Sequence, residues 1–361
     1  MTGATTKIPF CAARPLDDIL LLSELQNRFT QKLREIRMEL NHRKSEGLNA
    51  ENFRTVITAA DTAKIKRRAV RYRERLRSQS GAGHLPQRDE VMLPPLRDGL
   101  PVARIMTEHG ADEIAAALHE EMPWMAPATE VVWNGLKASA RDGLPGLRFH
   151  PLVLVGPPGI GKSFWARRLA HHLDVPTTSI DATGEPAAFS LVGSQRGWST
   201  ANPGKLMQTA LREQHAGPIV IIDELEKAGN VQSAQGSRHT LTDALLPLLE
   251  RMTAATWECP YFQVRFDMSW VNWVMTANRR QGLPAPLLSR CVVLDLPELT
   301  TWQLRGFVET QGGKRGLSRV AIDAVSDAIQ LTVSGGRKPS LRTVSRMLES
   351  AELLAQRPVL H

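Results

Sequence analysis

Four apolar residues, Leu152 to Val155, run directly into Gly156-Pro157-Pro158-Gly159-Ile160-Gly161-Lys162-Ser163, and a helix pattern follows at Phe164-Trp165-Ala166-Arg167-Arg168-Leu169-Ala170. The run has the composition of a short buried strand, and the second segment carries an apolar stripe at three-to-four spacing. Gly156, Gly159 and Gly161 let the connecting backbone turn tightly with its N–H groups pointing inward, and the new helix adds its positive dipole end. Such a turn holds anions. Lys162 supplies a point charge for the β- and γ-phosphates of a nucleotide, and the Ser163 hydroxyl is placed to ligate Mg²⁺. Pro157, Pro158, Ile160 and Phe164 complete the expected nucleotide-binding stretch. A glycine turn beside a chance lysine is the alternative, and the full G-x-x-x-x-G-K-S spacing between strand and helix disfavours it.

With 361 residues the chain is long enough for two or three domains with real cores. Its 42% hydrophobic and 23% charged residues are a globular composition. The formal charge of +8 suggests an anionic partner: nucleic acid, an acidic protein or nucleotide. Cys11, Cys259 and Cys291 are few and far apart, which suggests neither a disulfide framework nor a zinc site. The N-terminus lacks the apolar core of a secretory signal and no stretch approaches the length that spans a bilayer, so a soluble cytoplasmic protein without membrane attachment is expected.

Along the chain, Leu22, Leu25, Phe29, Leu33, Ile36 and Leu40 recur at helical intervals between charged residues. The seam fits either a second helix of the same chain or a coiled-coil contact between subunits, and its shortness favours the first. A second helical run, Phe53 to Leu76, turns basic: Lys64, Lys66, Arg67, Arg68, Arg71, Arg73, Arg75 and Arg77. That face is either simply solvated or lies along nucleic-acid phosphates. Residues 78–86 and the prolines at 94, 95 and 101 read as a linker. Helices are expected from about Val102 to Met122 and from Thr129 to Ala140, the second leading to the glycine-rich turn.

Ile219-Val220-Ile221-Ile222-Asp223-Glu224 is a buried strand pattern ending in two carboxylates, the Walker B arrangement. Asp223 would hold Mg²⁺ together with Ser163, while Glu224 would orient and deprotonate the attacking water. Trp270 to Asn278 is a further buried run, and Asn278 at its tip is placed to touch both γ-phosphate and water, as a sensor 1 residue does. In isolation Asn278 could equally cap a turn.

The order of Gly156 to Ser163, Asp223-Glu224-Leu225-Glu226-Lys227, Thr276-Ala277-Asn278 and Pro286-Leu287-Leu288-Ser289-Arg290 resembles the AAA+ ATPase module, and within it that of Lon proteases. Gly193 to Lys205, Tyr261 to Ser269 and Pro284 to Arg290 resemble further Lon segments. The likeness covers about Pro151 to Glu309 and does not reach the first hundred residues. It implies a parallel sheet flanked by helices (residues 101–298) and a small helical lid (299–361); the residues before them read, from their own pattern, as a helical basic region with linker (1–100). It also implies ATP and Mg²⁺ as ligands, Lys162, Glu224 and Asn278 in catalysis, and Arg290 as an arginine finger serving a neighbouring subunit of a homo-oligomeric, hexameric ring. Arg342 is the first choice for sensor 2 and Arg337 the alternative, because Lys338-Pro339-Ser340 interrupts Lon's spacing. Trp198 stands where Lon has a pore-loop tyrosine and would grip a protein substrate, or else pack within the fold. The chain ends directly after the expected lid, so no peptidase activity is expected.

Three functions fit these parts. The first is an ATP-driven remodeller of proteins, recruiting its substrate or an adaptor through the N-terminal helices. The second is a DNA- or RNA-stimulated ATPase using the Lys64 to Arg77 face, such as a loader or a transposition or replication accessory. A nucleotide switch acting as a scaffold is the third, and the set Glu224, Asn278 and Arg290 speaks against it.

Overall fold

The computed structural model describes residues 4–14, 21–45, 57–183, 187–196, 201–228, 231–232 and 238–355. Its longer strands are β1 (Ala4–Ile8), β2 (Leu100–Arg104), β3 (Leu152–Val155), β4 (Thr177–Asp181), β5 (Ile219–Asp223), β6 (Asn272–Ala277) and β7 (Val292–Asp295). The last five form one parallel sheet in the order β7-β3-β6-β5-β4. All residues of β3 and β6 are buried, as expected of central strands covered on both faces.

Successive side chains on these strands point to opposite faces, so each strand feeds two cores. Leu152, Leu154, Ile219, Ile221 and Val274 pack with α3 (Glu108–Glu121), α4 (Ala126–Arg141) and α5 (Lys162–Leu173). Val153, Val155, Val220, Ile222, Trp273 and Met275 face α6 (Ala187–Val192), α7 (Lys205–Glu213) and α8 (Leu241–Leu249). Three helices follow β7: α9 (Thr301–Lys314), α10 (Arg319–Ser334) and α11 (Leu341–Ala355). Thr300 opens α9 with a capping box to Gln303, and Ser318 caps α10. Leu304, Val308, Ile329, Val344 and Leu348 form their shared core, and Phe307 meets Trp124 edge-on at 6.1 Å, tying this unit to the sheet domain.

The N-terminal helices, here numbered α1 (Leu22–Ser45) and α2 (Ala59–Gln79), pack on each other within the chain. Leu25 is buried, Phe29 meets the Tyr72 ring at 5.8 Å, and Arg37 bonds Asp61 at 2.8 Å. Thr58 and Asp61 form a capping box that starts α2. Ile36, Met38 and Leu40 remain exposed.

Two sequence expectations are corrected. The helix expected from Val102 begins only at Glu108, because Leu100–Arg104 pairs antiparallel with Ala4–Ile8. That pairing also gives the first hundred residues a strand, and the 100/101 boundary falls inside it. The expected linker is packed: Ala82, Leu85, Leu93 and Leu96 are almost fully buried in the same core as Val153 and Ile222. Asp89 clamps it further, accepting from Arg196 at 2.7 Å and from the Tyr261 hydroxyl at 2.9 Å. These apolar residues lie at irregular intervals among prolines and glycines, so no periodicity marks them.

Candidate active site

The C-terminal ends of β3, β5 and β6 converge, because parallel strands in register deliver their next residues to one edge. Val155 pairs with Ala277, and the Gly156 N–H donates to the Ala277 carbonyl at 3.1 Å. From there the glycine-rich turn runs to Gly161, whose φ of 96° lies in the left-handed region. A methyl group at Gly156 would sit 2.6 Å from the Leu296 carbonyl oxygen, so the close approach needs a residue without Cβ.

Lys162 is 7% exposed and folds back over the turn. Its ammonium donates to the carbonyls of Gly156 (2.6 Å) and Pro157 (2.9 Å) and to the Asn278 amide oxygen (3.4 Å). Burial pulls its pKa below the ordinary lysine value, partly offset by Glu226, Asp223 and Glu224 nearby. The Ser163 hydroxyl donates to Asp223 Oδ1, and the Thr276 hydroxyl donates to the same oxygen at 3.0 Å. Thr276 also accepts the Glu224 N–H at 3.3 Å, which fixes Glu224 at a left-handed φ of 58°. The Glu224 carboxylate accepts from Lys227 at 2.8 Å, and this bond raises the Lys227 pKa. Asn278 Nδ2 donates to Glu226 Oε1 at 2.9 Å, while Glu226 Oε2 is buried without a partner.

Lys162, Ser163, Asp223, Glu224 and Asn278 are thus brought together as the sequence suggests. Glu226 and Thr276 join them and were not singled out by the sequence; their position within the two strand-end motifs was the available signal. Trp124 was missed as well. Its indole N–H donates to the Ile160 carbonyl at 2.9 Å, gripping the turn from the side. From the helical unit, the Leu341 N–H donates to the Gly159 carbonyl at 2.9 Å. This places Arg342, exposed, one residue beyond the contact, whereas Arg337 is exposed at the preceding turn. Pro158 and Phe164 are exposed beside the turn.

The residues suit a nucleotide with Mg²⁺. A buried ammonium folded over a glycine-rich turn matches phosphates, and a hydroxyl with one carboxylate supplies the hard oxygens that Mg²⁺ takes alongside phosphate oxygens. Among the described residues no cluster of three or more His, Cys, Asp or Glu forms a protein-only metal cage.

Arg290 is not at this edge. It precedes β7, whose first residue pairs with Leu152 at the start of β3, so it sits at the far end of the strands. Its guanidinium bonds Glu250 at 2.6 Å and the Pro286 carbonyl at 2.8 Å. Trp198 lies outside the described residues. Before it, Arg196 is anchored by Asp89 and lies over the Tyr261 ring at 5.1 Å. On α2, Lys64, Lys66, Arg67, Arg68, Arg71, Arg73 and Arg75 are exposed, but Arg77 turns inward to the Leu85 carbonyl and Glu90. Among the described residues no helix is long and apolar enough to cross a membrane.

Residues 152–296 match the family described as ATPase family associated with various cellular activities (AAA). The chain is 34% identical over 156 residues to the peroxisomal Lon protease homolog 2 of rice (Oryza sativa subsp. indica), a match covering 43% of this chain and 17% of that protein. It is 30% identical over 150 residues to the Lon protease of Mycoplasma mobile, covering 42% and 17%. The chain therefore spans well under a quarter of the length of these relatives. Among solved structures, the S. cerevisiae Hsp104:casein complex in its extended conformation shares the fold, with a TM-score of 0.54 at 16% identity over 79% of this chain and 55% of that one.

Proposed function

We propose that the protein, whose residues 152–296 match the AAA family of ATPases, hydrolyses ATP with Mg²⁺ in an oligomeric ring and uses the energy to remodel a protein substrate. The observation that carries this reading is the convergence of Lys162, Ser163, Asp223, Glu224 and Asn278 on one sheet edge. The inward N–H groups of the turn and Lys162 bind the β- and γ-phosphates; Lys162 exchanges its two backbone carbonyls for phosphate oxygens. Ser163 and Asp223 would hold Mg²⁺, which when bound supplies charge neutralisation of the phosphates. Glu224 takes a proton from water as the water oxygen attacks the γ-phosphorus and ADP departs. Lys227 holds only its Oε2, which leaves Oε1 as the oxygen to face the water. Asn278 positions the water and the γ-phosphate together.

Arg290 supports the oligomer. One strand length of sheet, about 10 Å for four residues, separates it from its own chain's phosphate turn. On the proposed reading a second copy brings the two together. On this reading Arg290 stabilises transition-state charge on the neighbour's γ-phosphoryl group, and Arg342 reports nucleotide from the helical lid, with Arg337 as the alternative. A protein substrate is favoured by the Lon likeness and by a fold shared with a protein seen in complex with casein; Trp198 is the proposed gripping residue. The exposed basic face of α2 supports a second reading, an ATPase stimulated by nucleic acid.

The test is the Mg²⁺-dependent ATPase rate of the chain alone, with an unfolded protein, and with DNA. Glu224→Gln should bind ATP yet lose turnover by two orders of magnitude or more, since an amide takes no proton. Near-normal turnover in that variant would remove Glu224 from its role. Stimulation by DNA that falls with salt would favour the second reading.

A further inference from the structure

A cavity of about 200 Å³ opens at the end of the sheet away from the phosphate turn, and Arg148, Arg251, Arg290 and Trp273 all line it. Three of the four carry buried N–H donors with no acceptor in the protein: Arg148 Nε, Arg290 Nε and Trp273 Nε1. Folded proteins rarely leave such donors unpaired. Trp273 is 2% exposed, so its indole N–H cannot reach bulk water. It is there because the odd residues of β6 face this side of the sheet, and the cavity lies at the strand's first turn.

The charges are as unbalanced as the hydrogen bonds. Burial and the nearby Arg251 charge both disfavour the Arg148 cation, and Asp267 only partly offsets them. Asp267 already accepts from the Ser269 backbone and hydroxyl. Glu250 occupies one terminal nitrogen of Arg290 and the Pro286 carbonyl the other, which leaves its Nε as the unpaired donor. Arg148 stacks on Trp270 at 4.1 Å, which holds its plane. Two fixed guanidinium groups, a third at the rim and an indole N–H match a compact acceptor-only ligand carrying negative charge.

We propose that this cavity is a binding site for a tetrahedral oxyanion of the phosphate class, held by Arg148, Arg251, Arg290 and Trp273. The ion is free phosphate, bound within one chain and independent of the role of Arg290 toward a neighbouring copy.

The test uses the full chain carrying Lys162→Ala, so that the phosphate turn does not contribute, titrated with inorganic phosphate. Calorimetry should show binding, and the indole N–H resonance that disappears in Trp273→Phe should move downfield as it gains an acceptor. Arg251→Gln, at an exposed position, and Arg148→Gln should each weaken phosphate binding about tenfold, the loss of one charge-assisted hydrogen bond. Should Arg148→Gln fail to fold, Arg251→Gln carries the comparison. In a second arm, the chain with Lys162 intact is loaded with a non-hydrolysable ATP analogue. A Trp273 shift there, absent with phosphate alone, overturns the proposal in favour of the contact with a neighbouring copy described above. An unmoved Trp273 resonance in both arms, or phosphate binding indifferent to Arg251 and Arg148, overturns the proposal while leaving the ATPase reading to its own test.

Discussion

Glu226 offers the sharpest separation of binding from chemistry. Its carboxylate accepts from Asn278 Nδ2 at 2.9 Å, and Asn278 Oδ1 accepts from Lys162 at 3.4 Å. The amide is therefore oriented from both sides. Glu226 and Lys162 can be no farther apart than the two hydrogen bonds and the width of an amide, about 8.5 Å, at which opposite charges attract by roughly 2 kcal/mol for an effective dielectric constant of about 20. That attraction competes with phosphate for Lys162. Removing it should tighten nucleotide binding, by about thirtyfold if roughly 2 kcal/mol is recovered. Turnover should move the other way in Glu226→Ala, since a charge-assisted bond worth about 1.5–3 kcal/mol no longer aims Asn278, a loss of about ten- to a hundredfold in kcat. Glu226→Gln keeps an acceptor without the charge, so it should tighten binding similarly with the smaller loss of kcat. Nucleotide affinity by calorimetry and kcat by steady-state phosphate release give the two numbers. Weaker nucleotide binding in both variants, or equal kcat losses in the two, would refute the reasoning.

Three other changes follow from the same geometry. Glu250→Ala frees Arg290 from an ion pair that is 30% and 46% exposed on its two sides, so stability should fall by no more than about 1 kcal/mol while concentration-dependent ATPase activity rises; a drop to the level of Arg290→Ala would show instead that Glu250 aims the finger. Trp124→Phe deletes the bond to the Ile160 carbonyl, a net of about 1 kcal/mol, and should weaken nucleotide affinity a few-fold with a normal fold by circular dichroism. The buried Lys162 has its pKa held below that of an unfolded lysine, so it loses its proton earlier as pH rises. Affinity for ADP should therefore decline as pH rises toward 10, and a flat profile to beyond the ordinary lysine value would contradict the assigned burial effect.

What could be read from the sequence is what local chemistry dictates. The three central strands are buried runs, apolar throughout Leu152–Val155 and interrupted in Asn272–Ala277 only by Asn272 and Thr276, and their ends lead to the residues that the site uses: Gly156, Asp223 and Asn278. Edge strand β4, with Thr177, Ser179 and Asp181 exposed between buried Thr178 and Ile180, gives a weaker pattern and was not read. The packing of residues 78–101 depends on partners far along the chain, such as His84 against the Phe262 carbonyl and Asp89 against Arg196 and Tyr261. No spacing rule reports such pairs. The same holds at the site itself, where Trp124 reaches Ile160 from a turn 36 residues earlier, and Leu341 arrives from the last helix. The phosphate turn is held at Gly159 by the lid and at Ile160 by Trp124, and Trp124 also meets Phe307 of the lid. Movement of α9 and α11 relative to the sheet must therefore disturb two carbonyls of the turn. By reciprocity, nucleotide that reshapes the turn must shift the lid with the same coupling energy.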